Sequence, residues 1–342
     1  MNKKFFKNKV ILITGGTGSF GKALVQHLLD KKYPLRKIII FSRDELKQSN
    51  FQNSLHPKHT KLLRFFIGDV RDYERLRTAF EDVDYVIHAA ALKQVPAAEY
   101  NPIEFIKTNV LGSSNVIKAA IKNNVEKLIG LSTDKAVSPA NLYGATKLCA
   151  DKLFISSNNY YGMERKTKIS IVRYGNVMGS RGSVIPFFNN YDKSKDIPIT
   201  DTRMTRFNLT ISEGVEFVLS NLDKMLGSEI FIPKIKSYKI LDLLESVRPG
   251  AKYKVIGIRN GEKLHEEMIT DTDSLNTFDL GRYYAILPSV SFSHTEEEYM
   301  AHHKAEKVPL GFKYNSGTNT EWETVESLRD RIREHVDSEF QI

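Results

Sequence analysis

The sequence predicts an α/β protein built on a doubly wound, Rossmann-like parallel sheet. Two observations support this fold class. Short apolar segments of strand length alternate with longer amphipathic segments, and a glycine-rich turn follows the first apolar segment. Strands that are apolar along their whole length are typical of a parallel sheet covered by helices on both faces. Right-handed crossovers then distribute the helices over the two faces.

The apolar and amphipathic segments define the predicted elements in chain order. The predicted strands are residues 10–14, 37–42, 63–68, 85–89, 127–131 and 169–174. The predicted helices between them include residues 22–30, 75–81 and 102–123. Residues 321–339, near the C-terminus, are also predicted to form a charged amphipathic helix. Alternation of this kind indicates successive strand–helix–strand units.

A glycine-rich turn connects the first strand to the first helix. The residues of this turn that can contact a ligand are Gly15, Thr17, Gly18, Ser19, Phe20 and Gly21. Its three spaced glycines allow a tight turn and a close approach of the backbone to a pyrophosphate, which then lies on a helix N-terminus. The sequence therefore predicts a dinucleotide cofactor; the alternative is a glycine-rich turn without a ligand.

The end of the second strand bears on which dinucleotide binds. An NAD site usually places an acidic residue here to hold the ribose hydroxyls. This chain has Ser42 and Arg43 first, followed by Asp44 and Glu45, with Lys47 nearby. A hydroxyl and a guanidinium suit a 2′-phosphate, so the sequence favours NADP. The alternative is that Arg43 is a surface charge and Asp44 holds the ribose of NAD.

The next two strand ends complete the predicted cofactor site. Asp69 and Val70 follow the third strand and are placed to contact the adenine. Ala89, Ala90 and Ala91 end the fourth strand, where small side chains let the cofactor lie flat. Ligands of such sheets bind outside the carboxyl ends of the strands.

The pattern loosens after about residue 177 and indicates a second region. We expect residues 1–177 to form the NADP-binding domain, with later segments returning to it. We expect residues 178–342 to form mainly a smaller, discontinuous substrate-binding region and the C-terminal tail. This region would close over the carboxyl ends of the strands.

A tyrosine and a lysine predict the chemistry. Tyr143 and Lys147 are one helical turn apart and share a helix face. The ammonium can lower the phenol pKa from about 10 towards neutrality, which makes the tyrosine a base towards an alcohol. Thr133, Asp134 and Lys135 precede the pair, at the end of a predicted strand. An acid beside a base indicates more than hydride transfer; the alternative is a solvent-exposed ion pair.

The composition excludes several classes of protein. The formal net charge is +9, but the basic residues are scattered and do not predict nucleic-acid binding. Cys149 is the only cysteine, which suits a reducing cytoplasm, and we expect it to be a small buried core residue. No apolar run reaches about 18 residues, so no membrane span is expected. No two histidines have His-x-x-x-His spacing, and the adjacent His302 and His303 cannot both face one site, so no protein-held metal is expected.

The combined motifs resemble the extended short-chain dehydrogenase/reductase family, whose members mostly act on nucleotide sugars. Within it the chain is most similar to the configuration-inverting UDP-N-acetylglucosamine 4,6-dehydratases of pseudaminic acid biosynthesis. The segments that carry this resemblance are residues 15–21, 42–48, 66–72, 88–93, 132–135, 141–147, 173–177, 179–184, 199–201, 203–207 and 259–263. The chain has Tyr143 and lacks an N-terminal membrane region, and in both respects it resembles the short branch of these enzymes.

The resemblance implies a reaction and a role for each residue of the motif. NADP takes the C4 hydride, water leaves across C5 and C6, and the hydride returns to C6, so that tightly bound NADP is regenerated. Tyr143, supported by Lys147, takes the C4 hydroxyl proton. Lys135, with a lowered pKa, removes the C5 proton. Asp134, with a raised pKa, protonates the leaving oxygen, and Thr133 binds the C4 oxygen. Tyr143 or Lys135 reprotonates C5 on the opposite face.

The resemblance also implies contacts with the UDP-sugar. The implied substrate residues are Lys93, Thr133, Asn176, Arg181, Thr200, Arg259 and Glu262. Lys93 is placed to span cofactor and substrate, and the guanidinium groups suit the diphosphate. Alternative functions are a UDP-hexose 4-epimerase, which needs no acid–base pair beside the threonine, and a non-catalytic nucleotide-binding sensor. We expect a cytoplasmic homo-oligomer, from dimer to hexamer.

Overall fold

The computed structural model describes residues 2–160, 167–179, 184–289, 294–336 and 340. The strands are β1 Val10–Thr14, β2 Lys37–Ser42, β3 Leu63–Ile67, β4 Tyr85–His88, β5 Lys127–Thr133, β6 Lys168–Tyr174, β7 Asn176–Val177, β8 Ile197–Ile199, β9 Thr205–Leu209, β10 Ile230–Pro233, β11 Ser237–Lys239, β12 Tyr253–Val255, β13 Glu267–Ile269, β14 Thr277–Asp279, β15 Tyr283–Ile286, β16 Glu306–Lys307 and β17 Tyr314–Asn315.

The helices lie between these strands. The α-helices are α1 Ser19–Asp30, α2 Glu45–Ser54, α3 Tyr73–Ala79, α4 Val95–Tyr100, α5 Pro102–Phe105, α6 Gly112–Lys122, α7 Leu142–Tyr160, α8 Val184–Asn190, α9 Ile211–Lys224, α10 Ile240–Val247, α11 Glu296–His303 and α12 Val325–His335. A π-helical segment, Ile106–Leu111, joins α5 to α6. Short 3₁₀ turns occupy Lys3–Phe6, Pro57–His59, Asp134–Ala136 and Asp273–Asn276.

A central sheet organises the molecule. Within the described residues it has ten strands, in the order β16-β14-β15-β10-β6-β5-β4-β1-β2-β3. The strands from β10 to β3 are parallel, whereas β15, β14 and β16 are antiparallel. The strand order reverses between β1 and β4, which is the point where doubly wound sheets bind their ligands. The predicted fold class is confirmed.

Alternating side chains of the central strands fill a core on each face of the sheet. Ile11 and Ile13 of β1 pack in one cluster with Leu24 of α1, and helix α9 completes that layer. Leu12 points to the other cluster, where Val116 of α6 covers it. All of these side chains are buried. Each contributes about 1.5–3 kcal/mol by leaving water, so the sheet is a rigid base for the residues at its carboxyl edge.

The segments after residue 177 both return to the sheet and cover its edge. Strand β10 pairs with β6 and brings the antiparallel strands with it. Three small sheets, β11-β9-β7, β12-β8 and β13-β17, lie outside the central one. A separate apolar cluster joins α8, α10 and α12 around Ile197 and Leu243. No helix of the described part of the chain is long and apolar enough to cross a membrane.

The structure corrects several sequence predictions in detail. The helix predicted at 102–123 is interrupted by the π-helical segment, and the C-terminal helix is α12, shorter than 321–339. The antiparallel edge of the sheet was not predicted. Cys149 is exposed on α7, so its placement in the core is wrong. The predicted strands 10–14 and 37–42 are confirmed at both ends.

Replacing Gly21 with alanine tests the close contact between α1 and the turn before it. A Cβ at Gly21 would lie 2.5 Å from Gly16 Cα and 2.7 Å from Gly15 O. Because both neighbours are backbone atoms, α1 must shift, and we expect a loss of about 1–3 kcal/mol in unfolding free energy. Chemical denaturation measures it. At Gly214 in α9 the nearest atom is a Leu209 methyl at 3.4 Å.

Gly214→Ala is therefore the matched control. We expect it to be neutral or to stabilise the protein by up to about 1 kcal/mol, since alanine is the better helix former. Equal unfolding midpoints for the two variants would contradict the packing described for Gly21.

Candidate active site

A cavity of about 490 Å³ opens at the carboxyl ends of β1, β4, β5 and β6. Gly15, Ala89, Thr133 and Tyr174 line it from these four strand ends. A second cavity of about 290 Å³ adjoins it and reaches the ends of β2 and β3. The two share Gly15, Gly18, Ala89 and Ala91. Together they form one elongated site across the point where the strand order reverses.

The residues predicted to bind the cofactor divide between the two cavities. Those in the first are Gly15, Gly18, Ser19, Phe20, Gly21, Ala89, Ala91, Lys93, Tyr143 and Lys147. Those in the second are Gly15, Thr17, Gly18, Ser42, Arg43, Asp44, Lys47, Asp69, Val70, Ala89, Ala90 and Ala91. Glu45 lies in neither: it is the exposed first residue of α2.

The N-terminus of α1 fits a pyrophosphate. Its N-cap is Gly18, which has no side chain to bond the first N–H groups of the helix. Gly15 has a positive φ of 68°, and a Cβ there would lie 2.9 Å from the backbone of Ala90. The backbone therefore forms a cradle with free donors, where a dinucleotide can approach closely. The described residues contain no group of three or more His, Cys, Asp or Glu that could hold a metal ion.

Two cations and two carboxylates meet at the end of β2. The Arg43 guanidinium lies 3.6 Å from Asp69 Oδ2, and Lys47 Nζ lies 2.7 Å from Asp44 Oδ2. Asp44 also accepts a hydrogen bond from the Lys47 N–H, as the N-cap of α2. Because Asp44 is engaged with the helix and with Lys47, its oxygens are less available to a ribose than those of a free carboxylate.

A close approach of α7 to the 3₁₀ turn Asp134–Ala136 assembles the predicted catalytic residues. Gly144 lies so near this turn that a Cβ would come 2.2 Å from Lys135 O. Asn141 Oδ1 accepts from the Gly144 N–H at 2.8 Å and fixes the start of α7. Lys135 and Tyr143, from the two elements, consequently line the same cavity as Thr133 and Lys147.

A backbone carbonyl holds Lys147 in the cavity that Tyr143 also lines. Its ammonium donates to Leu131 O at 2.7 Å, and the residue is buried. Burial lowers the pKa of Lys147, although the Asp151 carboxylate opposes this change. Burial also raises the pKa of Tyr143 to about 12, which Lys135 offsets only in part. The expectation that Lys147 brings the Tyr143 pKa towards neutrality is therefore wrong for this structure.

Lys135 forms the centre of a cluster of buried charges. Its Nζ donates to Asp134 Oδ1 at 3.1 Å and lies 3.3 Å from Glu266 Oε1. Asp134 is 0% exposed and also accepts from the Thr133 hydroxyl at 2.9 Å. Lys135 and Thr133 line the cavity, whereas Asp134 lies behind them. The acid–base pair is thus not a solvent-exposed ion pair.

The cluster separates the pKa values of its members. Burial raises the pKa of Asp134, and the Glu266 carboxylate adds to the rise. Burial would also raise the pKa of Glu266, but Lys135 and Arg206 lower it by more. Burial would lower the pKa of Lys135, but Asp134 and Glu266 raise it above its usual value. The raised Asp134 pKa was expected; the lowered Lys135 pKa was not found, because two carboxyl groups outweigh its burial.

A second buried network lies behind Lys147 and was missed by the sequence analysis. Asp151 follows Lys147 by one helical turn and accepts from Ser132 Oγ at 2.7 Å. The Arg173 guanidinium lies 3.3 Å from the same Asp151 oxygen and also donates to Met268 O at 3.0 Å. The spacing of Asp151 from Lys147 was a usable signal. Nothing in the sequence pointed to Glu266, which lies far from Lys135 along the chain.

The predicted substrate residues are only partly brought together. Lys93, Thr133 and Asn176 line the first cavity. Burial lowers the pKa of Lys93, with a further contribution from Lys135. Thr200, Arg259 and Glu262 do not line either cavity, and Arg259 lies 3.8 Å from Glu262 on the surface. Arg181 lies outside the described residues.

Comparison with known proteins agrees with this architecture. A family described as "Polysaccharide biosynthesis protein" matches residues 11–288. The chain belongs to this family. The inverting UDP-N-acetylglucosamine 4,6-dehydratase of Campylobacter jejuni is 53% identical over 96% of this chain and 98% of that protein. The resemblance stated from the motifs is confirmed.

Two further proteins are similar to this family member. A UDP-glucose 4-epimerase of Rickettsia canadensis is 44% identical over 82% of this chain and 83% of that protein. The X-ray structure of Pen from Bacillus thuringiensis superposes with a TM-score of 0.85 at 37% identity, covering 96% of this chain and 98% of that chain.

Removing the Asp151 carboxylate tests the buried network. Asp151→Ala leaves the Arg173 guanidinium buried without its carboxylate. Breaking such a pair costs about 3–5 kcal/mol of unfolding free energy, which urea denaturation measures. Glu104→Ala, which removes the exposed partner of Arg71, is the control and should cost at most about 1 kcal/mol. Similar losses of unfolding free energy for both variants would show that the buried pair stabilises the protein no more than an exposed pair.

Proposed function

We propose that this chain is an NADP-dependent UDP-N-acetylglucosamine 4,6-dehydratase that inverts C5. The observation that carries the proposal is the Lys135–Asp134 pair beside Tyr143 at the nucleotide-binding edge of the sheet. The similarity to the Campylobacter jejuni enzyme supports the same reaction. The product is a UDP-4-keto-6-deoxy-N-acetylhexosamine, and we propose that it enters pseudaminic acid or related glycan biosynthesis.

The first step removes the C4 hydroxyl proton. When bound, the nicotinamide accepts the C4 hydride and later returns it to C6. Tyr143 is placed to take the hydroxyl proton, and its pKa of about 12 means that it needs a nearby positive charge to do so. Lys135 supplies part of that charge, since it lowers the Tyr143 pKa from the same cavity. Lys147, bound to Leu131 O, lines the same cavity, and we propose that it supports the tyrosine.

The second step removes water across C5 and C6. The new C4 ketone makes the C5 proton acidic, and we propose that Lys135, whose side chain lines the cavity beside Thr133 and Tyr143, accepts it. Asp134 holds the proton for the leaving oxygen because burial raises its pKa. Thr133 and Lys135 are the groups that connect this buried acid to the cavity. Either Tyr143 or Lys135 can return a proton to C5, since both line the cavity.

The runner-up is a UDP-hexose 4-epimerase. The Rickettsia canadensis relative carries that name, and the tyrosine and lysine would suffice for its chemistry. Asp134 and Lys135 favour dehydration, because epimerisation at C4 needs no acid aimed at C6. The similarity to the dehydratase also covers more of the chain at a higher identity.

Several finer contacts are part of the proposal. We propose that Lys93 and Asn176, which line the first cavity, bind the substrate. The predicted contacts of the UDP moiety also include Arg181, Thr200, Arg259 and Glu262.

The surroundings of Arg43 favour NADP. Its side chain is more than half exposed, and its guanidinium approaches a single carboxylate, that of Asp69, at 3.6 Å. Other N–H groups of the guanidinium can therefore donate to a 2′-phosphate. A homo-oligomer is supported by the exposed side chains of Tyr100, Ile103 and Leu111.

The reaction is tested by incubating the protein with UDP-N-acetylglucosamine in deuterated water. We expect a 4-keto-6-deoxy product with inverted C5 and deuterium at that carbon, because C5 is deprotonated and reprotonated on the opposite face. NMR of the product reports both features. A C4 epimer without deuterium at C5 would identify the epimerase instead. Lys135→Ala should keep its cofactor and form no dehydrated product.

The cofactor preference is tested by replacing Arg43. Arg43→Ala should weaken NADP binding by about tenfold or more, since a charge-assisted contact to the 2′-phosphate contributes about 1.5–3 kcal/mol. NAD binding should change little. Titration calorimetry with both nucleotides measures the two affinities. An equal effect on NADP and NAD would favour the interpretation that Asp44 holds the ribose of NAD.

A further inference from the structure

Glu266 is fixed against the catalytic residues by its backbone as well as its side chain. Its N–H donates to Ser316 Oγ at 2.9 Å, and its carbonyl accepts from the Ser316 N–H at 2.8 Å. The residue is only 3% exposed. One carboxylate oxygen, Oε1, faces Lys135, whereas Oε2 is buried and has no hydrogen-bond partner among the described residues. Oε1 is the oxygen within reach of the Lys135 ammonium, so it is the one that can take a proton from Lys135.

Cations surround this carboxylate. Lys135 Nζ lies 3.3 Å from Oε1, and Arg206 Nε lies 3.6 Å from it. The positive charge of Lys263 also lowers the pKa of this carboxylate. These charges hold the pKa of Glu266 below its usual value, in spite of its burial. Asp134, on the other side of Lys135, has a raised pKa. The proposed reaction starts from a protonated Asp134, and the opposite directions of the two shifts agree with an ionised Glu266 beside a charged Lys135.

In this charge distribution Lys135 needs a proton acceptor before it can act as a base. Lys135 can remove the C5 proton only as a neutral amine, yet its two carboxyl neighbours keep it an ammonium. A proton must leave Nζ before or while the C5–H bond breaks. Asp134 cannot take it, because that carboxyl already holds the proton meant for the leaving oxygen. Glu266 Oε1 is the remaining carboxyl oxygen in contact with Nζ.

We propose that Glu266 is a positioning residue of the dehydration step, which accepts the Lys135 proton and so releases Lys135 to act as the base. The inference rests on the proposed function and adds a third member to its acid–base pair. It concerns a residue on the segment before β13, remote in sequence from the motif that contains Lys135.

The step balances in atoms and electrons. A Lys135 N–H bond breaks and the proton bonds to Glu266 Oε1. The freed lone pair on Nζ takes the C5 proton, the C5–H electron pair forms the C5–C6 double bond, and the C6–O bond breaks. The departing hydroxide takes a proton from the Thr133 hydroxyl, which takes the Asp134 proton in turn, and leaves as water. The cluster is then a protonated Glu266, a charged Lys135 and an ionised Asp134, with one substrate proton gained and one lost.

Lys135 also resets the cluster. Its ammonium contacts both carboxyl groups, Asp134 Oδ1 at 3.1 Å and Glu266 Oε1 at 3.3 Å. It can give a proton to Asp134 and take one from Glu266, which restores the resting state without exchange with solvent. The burial of both carboxyl groups favours this internal return, because neither is open to bulk water.

The test uses Glu266→Gln in the full-length protein, with UDP-N-acetylglucosamine that carries deuterium at C5. We expect kcat to fall by about 100-fold or more, as for the loss of a positioned proton acceptor, with KM within about threefold of the wild-type value. The remaining turnover should show a normal primary isotope effect from C5. Glu267→Gln, which neutralises the next carboxyl in the chain, is the matched control and should keep wild-type kcat and KM.

Two outcomes would overturn the inference. One is a kcat within about threefold of wild type; the other is a large loss without a C5 isotope effect, which would place the defect in another step. If Glu266→Gln fails to fold, Glu266→Asp is the deciding variant, because it keeps the charge but moves the carboxylate away from Lys135 Nζ. A partial loss of kcat with the C5 isotope effect supports the inference. A loss of kcat without that isotope effect refutes it. Failure of the proposed function is seen separately, as a wild-type protein that forms no 4-keto-6-deoxy product.

Discussion

The sharing of one ammonium between two buried carboxyl groups determines the chemistry of this site. Lys135 contacts Asp134 and Glu266 at once, and burial makes each of these charges expensive unless it is paired. Burial raises the pKa of Asp134, which favours the neutral form of that carboxyl and so reduces the cost. The environment of each carboxyl decides the direction of its shift: Asp134 is fully enclosed, whereas Glu266 also faces Arg206 and Lys263. The pKa values of two groups of the same chemical type are thereby shifted in opposite directions.

The fold brings this cluster to the cofactor by a few close contacts. Gly144 lets α7 pack against the turn that contains Lys135, so that Tyr143 and Lys135 line one cavity. Arg173 ties the end of β6 to β13 through Met268 O and holds Asp151 behind Lys147. Buried hydrogen bonds and an ion pair thus connect the nucleotide-binding part of the chain to the later segments. A shift of β13 would therefore change the positions of Arg173 and Asp151 near the site.

The sequence predicted local features well and long-range ones poorly. The strands at 10–14 and 37–42, the glycine turn and the Tyr143–Lys147 spacing are set by neighbouring residues, so pattern and periodicity were sufficient. The pKa of Lys135 depends on Glu266, which only the folded chain places beside it. The pKa of Tyr143 depends on the depth of its burial. The antiparallel edge strands are too short and too mixed in composition to show a clear period.

The late position of Glu266 in the sequence determines when the charged cluster can form during translation. Glu266 lies on a segment that is translated well after Asp134, Lys135 and Tyr143, and Ser316, which clamps it, comes later still. A nascent chain can therefore form the nucleotide-binding half while the acid–base cluster is incomplete. We expect such a chain to lack dehydrating activity until the segments that carry Glu266 and Ser316 have docked.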